Sequence, residues 1–177
     1  NEPIMRSCFM TNLSFDDDDI IVSVDADEII YRESWPYIVS EVENKELVRL
    51  NLYQFFYKFN YLWEGKDFTS PIASKYKVFK HQYPCNWRDV GQVLFKKVGC
   101  HFSWCMTPEE MVYKLHTYSH PRYRFCADET LLKKAINDKT YPFDENVDFN
   151  IREIELDDEV LPTCLASQSQ YLEKVLV

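Results

Sequence analysis

The chain has 177 residues, 46% of them hydrophobic and 16% aromatic, enough for one ordered domain and far from the composition of a disordered segment. Its net charge of −9 excludes most nucleic-acid binders, which present a basic face. No apolar run reaches the length of a membrane span, and the polar start is no signal peptide.

Asn1 to Leu13 has weak helical character, with Ile4, Cys8 and Phe9 able to share a face. Asp16 to Asp19 reads as a solvated turn leading into a strand, Ile20 to Val24, whose β-branched run is polar only at Ser23. Strands buried on both faces of a parallel sheet read this way. This one delivers Asp25 and Asp27 at its carboxyl end, where open α/β sheets present their ligands. Ser34 is the expected N-cap of a helix from Trp35 to Glu43, with Pro36 in its first turn. Leu47 to Phe59 alternates, with Val48, Leu50 and Leu52 on one face and Arg49, Asn51 and Tyr53 on the other, and predicts a long strand.

Asn60 to Pro71 reads as a loop holding Trp63, Glu64 and Gly65. Ile72 to Lys80 follows as a strand with Lys75, Lys77 and Lys80 as its polar complement, placed either to meet a phosphate or to guard a strand edge. Gln92 to Val98 and Cys100 to Trp104 read as two further strands. Thr107-Pro108-Glu109-Glu110 starts a helix, with a Thr cap, Pro at the first position and Glu at the third. Met111, Leu115 and Tyr118 then recur on one face. Asp128 opens another helix through Asn137, an acidic irregular stretch runs to Glu159, and Pro162 to Val177 forms a last amphipathic helix. Six cysteines, Cys8, Cys85, Cys100, Cys105, Cys126 and Cys164, show no Cys-x-x-Cys spacing, so thiols and disulfides both stay open.

Two carboxylates separated by one residue at a strand end can converge on one hard cation. Mg²⁺ and Mn²⁺ favour such oxygen ligands and bridge to a substrate's phosphates. The competing readings of Asp25 and Asp27 are a solvated turn and the nucleophile strand of a phosphatase. The latter wants Thr or Val two residues past the second Asp, where this chain has Ile29. His101 and His120 are candidates to complete a metal shell, against a purely structural role. Trp63 and Trp104 are candidates for stacking on a sugar face, against core packing.

Taken together, Asp25-Ala26-Asp27-Glu28-Ile29 and Gly99-Cys100-His101-Phe102-Ser103-Trp104-Cys105, continuing into Thr107-Pro108-Glu109 and Lys114-Leu115, resemble family-17 glycosyltransferases. Phe143-Asp144 and Leu161-Pro162 to Leu165 match more loosely, and the likeness runs from about Asp18 to the end. Cys100 departs from the Trp common after that glycine, and Ile30 from the Pro common after Glu-Ile.

The resemblance implies an inverting transferase of the GT-A fold, an α/β architecture with a Rossmann-like mixed sheet flanked by helices. It implies a nucleotide-sugar donor such as UDP-GlcNAc, a glycan or glycoprotein acceptor, and Mn²⁺ or Mg²⁺. Asp25 and Asp27 fall on the family's Asp-x-Asp, His101 on its Gly-x-His-x-Ser block and Glu109 on the acid after Thr-Pro. The expected metal ligands are therefore Asp25, Asp27 and His101, with Lys75 and Lys77 as further donor contacts. Glu109 is the expected general base and Asp128 its rival, while Glu110 sits where a capping box would use it. A GT-A domain normally opens with a strand–helix–strand unit for the nucleoside. Only 24 residues precede Asp25, so the expectation is a single transferase-like domain, 1–177, N-terminally incomplete, its nucleoside-binding half lying in a missing N-terminal segment or coming from a second chain. A phosphatase-like hydrolase and a non-catalytic sugar- or metal-binding module are the alternatives.

Overall fold

The computed structural model describes residues 13–81, 90–117, 121–144 and 146–166. The expected first helix up to residue 12, Tyr118, His120, Cys8, Cys85 and the last helix beyond residue 166 lie outside the described residues.

Strands β1 (Ile20–Ser23) and β2 (Glu28–Ile30) come first, followed by helix α1 (Trp35–Lys45), β3 (Leu47–Phe56), β4 (Tyr61–Phe68) and β5 (Ile72–Lys75). Then come α2 (Tyr76–Phe79), β6 (Gln92–Ser103), α3 (Pro108–Thr117), α4 (Glu129–Asn137), β7 (Asn150–Glu153) and α5 (Thr163–Ala166). The architecture is mixed α/β. The chain forms two compact units, one within Asn1–Tyr53 and Asp67–His101, the other within Gln54–Lys66 and Phe102–Val177.

In the first unit β1 pairs β5, β5 pairs β3, β3 pairs β6 and β6 pairs β2. The β-branched run at β1 does bury on two faces. Ile20 and Val22 pack on a core of Ile38, Val42, Val48, Leu50, Leu52, Ala73, Leu94 and Val98, while Ile21 packs beside Ile72 and Phe79. Its partner, however, is antiparallel, with Ile20 opposite Lys75 and Ser23 opposite Ile72, and its residues are only half-buried. Two-sided packing alone, without a parallel neighbour, accounts for the apolar run.

Other expectations shift for local reasons. The strand expected to reach Lys80 stops at Lys75, because Tyr76 N–H donates to Asp19 O (2.8 Å) and Lys77 N–H to Asp17 O (3.0 Å), turning the chain into α2. Asn51, expected on the polar face of β3, is buried; its amide donates to Leu94 O at 3.2 Å and accepts from Lys97 Nζ at 3.0 Å. The two strands expected around Gly99 are one, β6. A Cβ at Gly99 would lie 2.1 Å from Ile29 O, so only glycine lets β2 approach there, with Ile30 opposite Gly99 and Glu28 opposite His101. Side chains alternate along β6. Leu94, Val98 and Cys100 share the buried face, and Cys100 Sγ hydrogen-bonds Tyr31 Oη at 3.1 Å.

Residues 60–71 hold not a loop but β4, which pairs antiparallel with β7 within the second unit, Trp63 opposite Ile151. Trp63 packs among Phe56, Tyr57, Trp104, Met111, Leu115, Leu132 and Phe143. The acidic stretch before Glu159 supplies β7, which is why a partner strand for Trp63 was not legible locally. Helix α3 begins with a capping box: Thr107 N–H donates to Glu110 Oε2 (2.8 Å) and Glu110 N–H to Thr107 Oγ1 (3.3 Å). Among the described residues no helix is long and apolar enough to cross a membrane.

Replacing Gly99 with Ala forces β2 away from β6 and should cost about 1–3 kcal/mol, as overpacking at a rigid backbone contact does. Thermal unfolding followed by circular dichroism checks this, and an unchanged Tm would show that the close approach is dispensable. Burial pushes the Cys100 thiol up to about 12, against the opposite pull of its Tyr31 hydrogen bond. The thiolate is the nucleophile, so at pH 9 iodoacetamide should label exposed Cys164 well before Cys100. Peptide mass spectrometry reads the order, and equal rates would contradict the buried environment.

Candidate metal centre

The turn from β1 to β2 closes on itself. Glu28 N–H donates to Asp25 O at 3.1 Å, and Asp25 N–H donates to the Glu28 carboxylate at 2.6 Å. This clasp fixes the direction in which β2 leaves the turn. Because directly opposed residues of an antiparallel pair project to the same face, the register then sets Glu28 beside His101. Glu28 and His101 are both buried, and Asp27 is half-buried.

One ligand atom from each of Asp27, Glu28 and His101 lies within 4.8 Å of the other two. His101 Nε2 is 3.6 Å from Asp27 Oδ2, and its ring stacks on Phe68 with centroids 3.6 Å apart and planes at 25°. The stack holds the imidazole in one orientation. Two carboxylates drawn together at a partly buried site repel each other, and a divalent cation relieves that repulsion. The two carboxylates suit Mn²⁺ or Mg²⁺, and the added imidazole suits Mn²⁺ or Zn²⁺ better than Mg²⁺. The residues present therefore fit the metal the resemblance implies.

Of the expected ligands, Asp27 and His101 come together. Asp25 closes the turn through its backbone and is not one of the three converging residues. Glu28 joins instead, and sequence reasoning did not single it out as a ligand. Its signal was the third acid of Asp-Ala-Asp-Glu, but only the pairing with a residue 73 positions later gives that acid its place. Lys75 and Lys77 are not brought to this turn. Lys75 is opposite Ile20, at the other end of β1. Its Nζ pairs with Glu43 at 2.8 Å and Asp18 at 3.4 Å, and Lys77 Nζ pairs with Glu46 at 2.6 Å and Asp18 at 3.6 Å. The lysines hold the Asp18 carboxyl below its ordinary range, Lys75 most strongly.

The remaining candidates belong to the second unit. Glu109 is exposed in the first turn of α3, while Glu110 is engaged in the capping box. Asp128 caps α4, accepting from Thr130 N–H at 2.8 Å and Leu131 N–H at 3.0 Å. Trp63 and Trp104 are both buried; Trp63 Nε1–H donates to Asp148 O at 3.1 Å, and Lys114 Nζ sits 4.6 Å over the Trp104 ring.

No curated protein and no solved structure matches the chain. The family model described as glycosyltransferase family 17 matches residues 3–141. That span holds Asp25, Asp27, Glu28, His101, Glu109 and Asp128, and it covers well over half the molecule. The chain therefore belongs to glycosyltransferase family 17, a family of transferase enzymes that act on a sugar donor and an acceptor.

Proposed function

We propose that this glycosyltransferase moves a sugar with inversion from a nucleotide-diphosphate donor, a UDP-sugar such as UDP-GlcNAc, to a hydroxyl of a glycan or glycoprotein. We propose further that its sheet is of the GT-A type and that the reaction depends on Mn²⁺ or Mg²⁺. The observation that carries this reading is the convergence of Asp27, Glu28 and His101 in a chain of family 17. Asp27, Glu28 and His101 would hold the ion, with Asp25 shaping the turn that presents them. When bound, the ion supplies Lewis-acid neutralisation of the departing diphosphate's charge.

The chain's own residues supply the rest. Glu109 takes the proton of the acceptor hydroxyl as its oxygen bonds to the anomeric carbon and the bond to the diphosphate breaks. Among the three acids considered for this role, Glu110 and Asp128 each serve a helix cap, and Glu109 serves neither. Membership of a transferase family removes the ground for the phosphatase-like reading.

Titration of UDP with and without Mn²⁺ tests the donor site. Asp27→Asn should abolish the Mn²⁺-dependent part of binding while leaving the unfolding temperature close to wild type, since Asp27 is half-buried in a turn. Binding that is metal-independent and equal in both proteins would overturn the assignment.

Turnover tests the base. Glu109→Gln should lose about 100- to 10,000-fold in rate with donor binding kept. Glu110→Gln should keep both turnover and most of the stability, because a glutamine there still accepts from Thr107 N–H. An active Glu109→Gln with an inactive Glu110→Gln reverses the assignment, and two active variants would move the role to Asp128.

A further inference from the structure

The second unit carries a cavity of about 350 Å³ lined by Lys139, Thr140, Tyr141, Asp144, Val147 and Phe149. Ligand sites span about 300–1,000 Å³, so this one has room for a single small unit. Its wall is the segment that leaves α4. Lys139 takes a left-handed conformation (φ 50°), and Thr140 N–H donates back to Ala135 O at 2.9 Å. Two buried aromatic residues pin the segment at both ends: Tyr57 O–H donates to Thr140 O at 2.8 Å, and Trp63 Nε1–H to Asp148 O at 3.1 Å.

The lining has two chemistries. Tyr141 and Phe149 present ring surface; their centroids are 5.5 Å apart, and both pack on Phe56 and Trp63. That packing makes them a rigid wall with little conformational entropy left to lose. Lys139, Thr140 and Asp144 supply polar groups. Asp144 Oδ1 accepts from Asn146 N–H at 2.9 Å and Asn146 Nδ2 at 3.1 Å, which fixes the carboxylate. Lys139 Nζ lies 3.3 Å from Glu153 Oε2 and 4.8 Å from the centre of the Tyr61 ring.

We infer that this cavity binds a neutral sugar residue of the acceptor glycan, a role that rests on the transfer reading above for the word acceptor but not for sugar binding itself. A pyranose offers an apolar C–H face and a rim of hydroxyls. The Tyr141 and Phe149 rings suit the first, and the Asp144 carboxylate with Thr140 and Lys139 suits the second. A diphosphate is disfavoured, because it would face the charge of Asp144 beside a lysine already paired with Glu153. A purely apolar ligand would have to desolvate Lys139 and Asp144 without replacing their hydrogen bonds.

Calorimetric titration of mannotriose and of chitotriose into the whole chain, with neither nucleotide nor metal present, tests the inference. Saturable binding of at least one is expected. Asp144→Ala should weaken it at least about tenfold, the loss expected for one hydrogen bond to a charged group. Lys139→Ala should weaken it as well, and serves as the deciding variant if Asp144→Ala lowers the unfolding temperature. No binding of either sugar, or wild-type affinity in both variants, overturns the inference, and so does displacement of the sugar by UDP. Failure of the donor reading shows up separately, as absent Mn²⁺-dependent UDP binding in a protein that still binds oligosaccharide; in that case the cavity stands as a sugar site and its acceptor role falls.

Discussion

The candidate centre depends on how closely β2 can lie against β6. Two strands of a sheet sit within a few ångströms, and at Gly99 the Ile29 carbonyl occupies the space a side chain would need. With that approach allowed, three residue pairs form, the last of them Glu28 with His101. The Asp25–Glu28 clasp closes the turn that carries Asp27 next to that pair. A glycine without chemistry of its own thus decides whether two acids and an imidazole meet.

The same strand separates two environments by the alternation of its side chains. Cys100 enters the core with Leu94 and Val98, where burial keeps it a neutral thiol. Its neighbour His101 turns to the opposite face, toward Asp27 and Glu28, and gains its burial from the stack on Phe68. A soft sulfur ligand and a borderline imidazole ligand stand side by side in sequence. The pleat assigns only the imidazole to the carboxylates, which favours a hard or borderline cation over a thiophilic one.

What could be read from the residues is what is encoded locally. The Thr107 to Glu110 cap, the Asp128 cap and the span of α4 rest on bonds between residues two to four apart, and they form as expected. The apolar run at Ile20 to Val24 announced a strand with two covered faces, but periodicity reports burial and not the direction of a neighbour, so the antiparallel partner was not legible. β4 was read as a loop because Glu64, Gly65, Lys66 and Asp67 are polar and exposed. Its other half is fixed by Asp148 and Ile151, more than 80 residues away. Glu28 escaped notice as a candidate ligand for the same reason. Its chemistry is ordinary until a distant strand supplies His101.

Charge is distributed unevenly along β1, and this bears on what the turn after it can hold. At the amino end Asp17, Asp18, Glu43 and Glu46 meet the ammonium groups of Lys75, Lys77 and Lys80. These pairs are largely exposed, so each contributes little to stability, but together they balance acid with base locally. At the carboxyl end Asp27 and Glu28 lie beside the His101 imidazole, where solvent screening is weaker. Bringing like charges into a partly buried site raises the energy of the folded chain unless positive charge joins them. A divalent ion held by Asp27, Glu28 and His101, as proposed, would place positive charge at this end of the strand as the lysines do at the other.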